Sequence, residues 1–135
     1  MIELPLLEQD YTLTQAQLIK FREDGFLKVS NVFDSVTLQH FEPEITRLTL
    51  AHNPVDGIPM EKRDTYSKAF IQVGNLWEKS EDVRRLTFSK RLAGIATQLL
   101  GCDGARLWHD QALYKEPSGG FTPWHADQQY WPMAS

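Results

Sequence analysis

The strongest constraint on this chain lies in residues 105–131. Residues 105–115 give the clearest strand signal in the chain. On a strand, Leu107, His109, Gln111, Leu113 and Lys115 share one face, and Arg106, Trp108, Asp110, Ala112 and Tyr114 share the other. Residues 116–120 (EPSGG) have turn chemistry. A second extended segment follows over residues 121–131, interrupted by Pro123 and ended by Pro132.

The residues ahead of this pair read mainly as helices. Thr14 is placed to cap a helix that runs to Asp24, with Ala16, Leu18, Ile19 and Phe21 as its apolar stripe and Gly25 at its C′ position. Residues 26–29 read as a short strand. Asp34 or Ser35 caps a second helix toward Ala51, with Leu38, Phe41, Ile45 and Leu48 at spacings of three and four. Pro43 falls inside that pattern and should kink the helix or move its start. Residues 52–65 read as a loop, 68–77 as a strand followed by a turn, and 81–86 as a short helix. Ser89 caps a last helix to Leu100 that presents Leu92, Ile95, Ala96 and Leu99 on one face and is closed by Gly101. No internal repeat is visible. Helices followed by strands predict an α+β domain with a mainly antiparallel sheet, and 135 residues suit one domain.

Composition excludes several functions. Fourteen basic against eighteen acidic residues give a net charge of −4, so there is no basic field to hold a nucleic acid. The single cysteine, Cys102, allows neither an internal disulfide nor a thiolate zinc site, and it follows a helix C-terminus, where the dipole disfavours a thiolate. No apolar run is long enough to span a membrane, and the N-terminal MIELPLLEQD lacks the basic start of a signal peptide, so a cytoplasmic protein is expected. No nucleophile elbow or glycine-rich phosphate loop occurs, and Lys62-Arg63 and Arg84-Arg85 are interleaved with acids as solvated faces are. Charge and hydropathy therefore point to neither nucleic acid nor membrane as a partner.

Chemistry concentrates where the strands do. Three of the four tryptophans and two of the four histidines lie between Trp108 and Trp131. His125-Ala126-Asp127 is the sharpest pattern: on an extended segment the imidazole and the carboxylate point the same way and can converge on one metal ion at about 2 Å each. Two of the three ligands of a 2-His-1-carboxylate iron site have this character. The bland alternative is a solvated histidine beside a turn aspartate. His109 and Asp110 are adjacent, so they face apart and make a poor ligand pair; His109 is a hydrogen-bonded strand histidine or a pocket residue. His40 and His52 read as surface or helix-end residues.

Three stretches, LTQAQLIKFREDGFLKVSNVF, SKRLAGIATQLLG and WHDQALYKEPSGGFTPWHADQQYWP, occur in order along the chain. Together they resemble the phytanoyl-CoA dioxygenase family of Fe(II)- and 2-oxoglutarate-dependent oxygenases. The resemblance implies N-terminal helices leading into a double-stranded β-helix, a cupin-like jelly-roll barrel with iron at its mouth. It implies that His125 and Asp127 are iron ligands and that Gln111 and Gln72 contact the co-substrate 2-oxoglutarate. Gln128, Tyr130 and Trp131 would line the substrate pocket, with O2 and a small organic molecule as the other partners. Polar strand positions for the glutamines, and packing for the aromatics, are the ordinary alternatives. Related halogenating members carry a small residue in place of the carboxylate, so Asp127 favours hydroxylation.

The resemblance also implies a second histidine ligand and, about ten residues after it, a basic residue that pairs with the far carboxylate of 2-oxoglutarate, both expected beyond Ser135. The barrel-closing strands are expected there as well, which makes residues 1–135 one incomplete domain. Two other readings remain. One is a non-catalytic jelly-roll fragment that binds a partner through Trp124, Tyr130 and Trp131. The other is a metal-dependent isomerase or similar cupin-like enzyme that uses the same His and Asp without 2-oxoglutarate.

Overall fold

Local capping fixes where the helices begin. In a computed structural model, which describes residues 3–127, 130 and 131, helix α1 spans Gln15–Asp24. Thr14 Oγ1 accepts the Gln17 N–H at 3.3 Å, and Gln17 Oε1 accepts the Thr14 N–H at 2.8 Å, a reciprocal capping box. Gly25 closes the helix at φ +77°, a conformation that costs other residues strain. Helix α2 spans Ser35–Ala51 and is capped by Asp34, whose Oδ1 accepts the Thr37 N–H at 2.8 Å. Pro43 does not move the start of the helix: α2 begins at Ser35 and continues through Pro43, which donates no backbone hydrogen bond. Burial of Thr37, Phe41, Leu48 and Thr49 offsets that loss. Helices α3 (Thr65–Ala69), α4 (Glu81–Thr87) and α5 (Lys90–Leu100) follow, α3 capped by Asp64 and α5 by Ser89, with Gly101 closing α5 at φ +66°.

Strand β1 (Ile71–Gly74) pairs antiparallel with β2 (Gln111–Tyr114), with Ile71 opposite Tyr114 and Gly74 opposite Gln111. One face of this pair packs inward. Ile71, Val73 and Ala112 join Leu48, Val55, Leu76 and Val83 in the main core, with Ile45 and Tyr114 packed against it. The Tyr114 hydroxyl meets Thr46 Oγ1 on α2 at 2.7 Å, so the sheet is tied to the helix layer as well as packed on it. A second cluster of Leu4, Leu7 and Phe41 seats the N-terminal segment. The other face, carrying Gln72, Gln111 and Leu113, is turned outward.

The strands are shorter than their sequence pattern. Residues 26–29 and 121–126 form no strand, residues 105–110 join no ladder, and the expected strand over 68–77 begins only after α3. A strand exists only beside a partner, and β1 offers four residues. It ends at Gly74, where Asn75 turns left-handed at φ +53° and a 3-10 helix, Leu76–Glu78, leads away. The described residues thus form an α+β arrangement with one two-stranded sheet. The barrel expected from the family is not seen among them. No helix among the described residues is long and apolar enough to cross a membrane.

Candidate active-site cleft

Three ties set the position of the chain after β2. The glycines of the 116–120 turn press on the end of α3: Gly120 N–H donates to Lys68 O at 2.6 Å, and a Cβ on Gly119 would stand 3.0 Å from both Glu116 O and Lys68 O. A side chain there would crowd both backbone oxygens, so the turn favours glycine. Arg63, almost fully buried, forms an ion pair with Glu116 at the head of the turn and donates from Nε to Ile58 O at 2.9 Å. Lys115 Nζ reaches across the turn to Gly120 O at 3.0 Å and Thr122 Oγ1 at 3.1 Å. These contacts fold residues 121–127, 130 and 131 back over the outer face of the sheet. Between the two lies a cleft of about 870 Å³, lined by Tyr66 and Phe70 from the α3 region, by Gln72, His109, Gln111 and Leu113 from the sheet side, and by Thr122 to His125, Asp127, Tyr130 and Trp131 opposite.

His125 and Asp127 come together at the mouth of this cleft. The His125 Nδ1 lies 2.9 Å from Pro123 O, a carbonyl that can only accept, so Nδ1 carries the ring proton. The bare Nε2 then faces Asp127 Oδ1 at 3.3 Å. Two acceptors at this separation repel unless a cation lies between them, either an added proton or a metal ion. Donors that bind one metal ion side by side, each at about 2 Å, stand about 3 Å apart, so the pair suits a metal in spacing and in donor chemistry. Both side chains reach solvent, with His125 41% and Asp127 81% exposed. Among the described residues, no group of three His, Cys, Asp or Glu side chains comes together.

The polar floor of the cleft is a short chain of side chains. Gln72 on β1 donates to Gln111 Oε1 on β2, and the Gln111 amide nitrogen meets His109 Nε2. Since that nitrogen only donates, His109 Nε2 accepts and Nδ1 holds the proton, buried and without a hydrogen-bond partner among the described residues. Opposite, the Asp127 carbonyl accepts the N–H groups of Tyr130 and Trp131, each at 2.9 Å. The Trp131 ring lies over His109 with centroids 4.6 Å apart and meets Trp108 edge-on at 6.2 Å. Tyr130 stands edge-on to His125 at 6.2 Å.

The structure places the residues expected from the sequence as follows. His125 and Asp127 are neighbours, Gln72 and Gln111 are bonded to each other, and Tyr130 and Trp131 line the same cleft. Gln128 lies outside the described residues. His109 is both hydrogen-bonded and a cleft residue. The sequence reading missed Lys115, although its shared face with Gln111 signalled it. It also missed Asp110, which turns away from His109 to accept the Leu76 N–H at 2.8 Å, the Trp77 N–H at 3.1 Å and the Thr87 hydroxyl at 3.2 Å. Cys102 is exposed, His52 caps the end of α2, and His40 sits 3.6 Å from Asp82, all away from the cleft.

Comparison with known proteins adds an independent line. The family model "Phytanoyl-CoA dioxygenase (PhyH)" matches residues 21–135. The ectoine dioxygenase of Streptomyces avermitilis is 29% identical over 126 residues, covering 88% of this chain. The chain spans about 40% of the length of that relative. No solved structure matches the chain.

Proposed function

The chain belongs to the phytanoyl-CoA dioxygenase family, and from that premise we propose that the protein carrying it is a non-haem Fe(II)- and 2-oxoglutarate-dependent dioxygenase that hydroxylates a small organic substrate. The observation that carries this reading is the His125–Asp127 pair, two acceptor atoms 3.3 Å apart at the mouth of an aromatic cleft. His125 Nε2 and Asp127 Oδ1 would hold the iron, together with a third donor from outside the described residues. Bound there with 2-oxoglutarate, Fe(II) supplies reductive activation of O2 coupled to oxidative decarboxylation of the co-substrate.

The remaining steps belong to the protein's own groups. The Pro123 carbonyl keeps the proton on His125 Nδ1 and so keeps Nε2 free as a donor to the metal. Asp127 would supply negative charge to the site and take a position that an exogenous halide would need, which favours hydroxylation. Gln72 and Gln111, already bonded to each other, present amide dipoles on the cleft floor where 2-oxoglutarate would lie. Gln128, Tyr130 and Trp131 would shape the substrate side, and the rings of Tyr66 and Phe70 would keep water from it. The name of the Streptomyces relative, ectoine dioxygenase, supports a small organic molecule as substrate.

The test is Fe(II)-dependent conversion of 2-oxoglutarate to succinate and CO2 by the protein that contains this chain. His125→Ala and Asp127→Ala should each reduce it to background and should weaken Fe(II) binding measured under argon. Undiminished turnover in both variants would overturn the proposal, and metal-dependent turnover that needs neither 2-oxoglutarate nor O2 would point instead to isomerase-type chemistry.

A further inference from the structure

Among the described residues, the segment that carries His125 and Asp127 makes no ladder hydrogen bond to the sheet. Its start is fixed by the 116–120 turn and by Lys115. Beyond Thr122, the described contact that returns it to the sheet is the Trp131 ring on His109, with Trp108 edge-on behind. Trp131 in turn is bound to the metal motif, since its N–H donates to the Asp127 carbonyl at 2.9 Å. His109 does not move freely beneath it: Gln111 holds its Nε2, and Gln72 holds Gln111. A continuous run of contacts therefore leads from β1 through β2 and His109 to Trp131, and from there to the backbone of Asp127. The burial of His109 Nδ1 without a hydrogen-bond partner is the cost of this arrangement, because the ring is placed to serve the stack rather than its own second nitrogen.

We propose that His109 is a positioning residue for the metal site, acting through Trp131 to hold Asp127 beside His125. This rests on the reading of His125 and Asp127 as metal ligands. Partners one contact removed from a ligand commonly change metal affinity by 10–100-fold when removed. His109 stands two contacts from Asp127, so the lower end of that range is expected. A ring matters here more than an imidazole does. Phenylalanine keeps the face that Trp131 covers and loses only the bond from Gln111.

The experiment is a Co(II) titration of the metal-free protein containing this chain, followed by visible absorbance, with acrylamide quenching of tryptophan emission measured in parallel before metal is added. His109→Ala should weaken Co(II) binding by about tenfold and make Trp131 more accessible to quencher, and His109→Phe should restore both. Trp131→Leu, a change at a partly exposed ring, should weaken Co(II) to the same degree, and the double variant His109→Ala/Trp131→Leu should be no weaker than either single one, because the two act as one unit. If His109→Ala binds Co(II) as the parent does while His125→Ala does not bind it, or if phenylalanine fails to restore binding, the role assigned to His109 is wrong. If His125→Ala also binds Co(II) normally, the metal reading itself fails. The quenching of metal-free His109→Ala and His109→Phe then decides whether His109 seats Trp131.

Discussion

Asp110→Ala gives a direct measure of what fixes the sheet side of the cleft. The Asp110 carboxylate accepts from the backbone N–H groups of Leu76 and Trp77 and from the Thr87 hydroxyl, while its own carbonyl accepts the Asn75 N–H at 3.0 Å. It thereby joins the 3-10 helix after β1, the end of α4 and the residue before β2. Removing the side chain leaves three donors without their acceptor. Leu76 is only 2% exposed, so its N–H cannot turn to water and should cost about 2 kcal/mol. Trp77 and Thr87 are half-buried, and water can replace most of their loss, leaving about 0.5 kcal/mol each. The expected destabilisation is therefore about 3 kcal/mol. Asp110→Asn keeps one oxygen for Leu76 but turns an amide NH2 toward the other donors, and should fall between, at about 1–2 kcal/mol. Urea unfolding followed by far-ultraviolet circular dichroism reads the change. With a denaturant slope of about 1–3 kcal/mol/M, the alanine variant should unfold at least about 1 M earlier at an unchanged slope. An alanine variant that loses less than about 1 kcal/mol would refute the premise that the Leu76 N–H is stranded from solvent.

Further consequences can be read by simple assays. Thr14→Ala removes one half of the α1 capping box and should cost about 1 kcal/mol, with faster hydrogen exchange confined to the first turn of α1. Gly119→Ala forces the turn away from the backbone oxygens of Glu116 and Lys68 and should cost about 1–3 kcal/mol, lowering Tm by several degrees and weakening metal binding at His125 and Asp127 together. In acid, two helix caps should fail. The Thr37 hydroxyl and then its N–H hold the Asp34 carboxyl below the ordinary value of 3.8, and the Ser67 N–H and then its hydroxyl do the same for Asp64. A carboxylate that ionises more readily when folded stabilises fully above its unfolded value and loses that contribution as pH falls through the lower folded value. Stability should thus decline below pH 3.8, and the double variant Asp34→Asn/Asp64→Asn should show a flatter decline of Tm between about pH 5 and pH 2.5.

The helices were legible because their signals are local. A cap and its N–H partner lie three residues apart, so Thr14, Asp34 and Ser89 mark the first turns of α1, α2 and α5 with no knowledge of the rest of the fold. Strands are defined by a neighbour that the pattern does not name. Residues 26–29 and 121–126 have extended character in the sequence and no partner in the described structure, and the ladder at β2 ends at Gln111 because β1 turns away at Gly74. The alternation itself was sound even where no ladder forms. Asp110 points inward to Leu76 and His109 outward to the cleft, since a locally extended backbone separates successive side chains whether or not it is paired.

The same distinction divides the site. The spacing of His125 and Asp127 is a local property, and it brings the two side chains within 3.3 Å although their segment is not a strand; a bond from the His125 ring to Pro123 O takes over the orientation that a ladder would have given. The link that seats this pair against the sheet is not local. Trp131 was legible as an aromatic near His125 and Asp127, but its seat on His109 depends on the turn at Gly119 and Gly120 folding the chain back at one angle, and that angle is set by Lys68 on a different element. A motif of three residues can therefore suggest a metal site that only an assay can establish. Its stiffness comes from contacts that a one-dimensional pattern does not contain, and for this reason the variants that test the site most sharply, at His109 and Gly119, lie outside the motif.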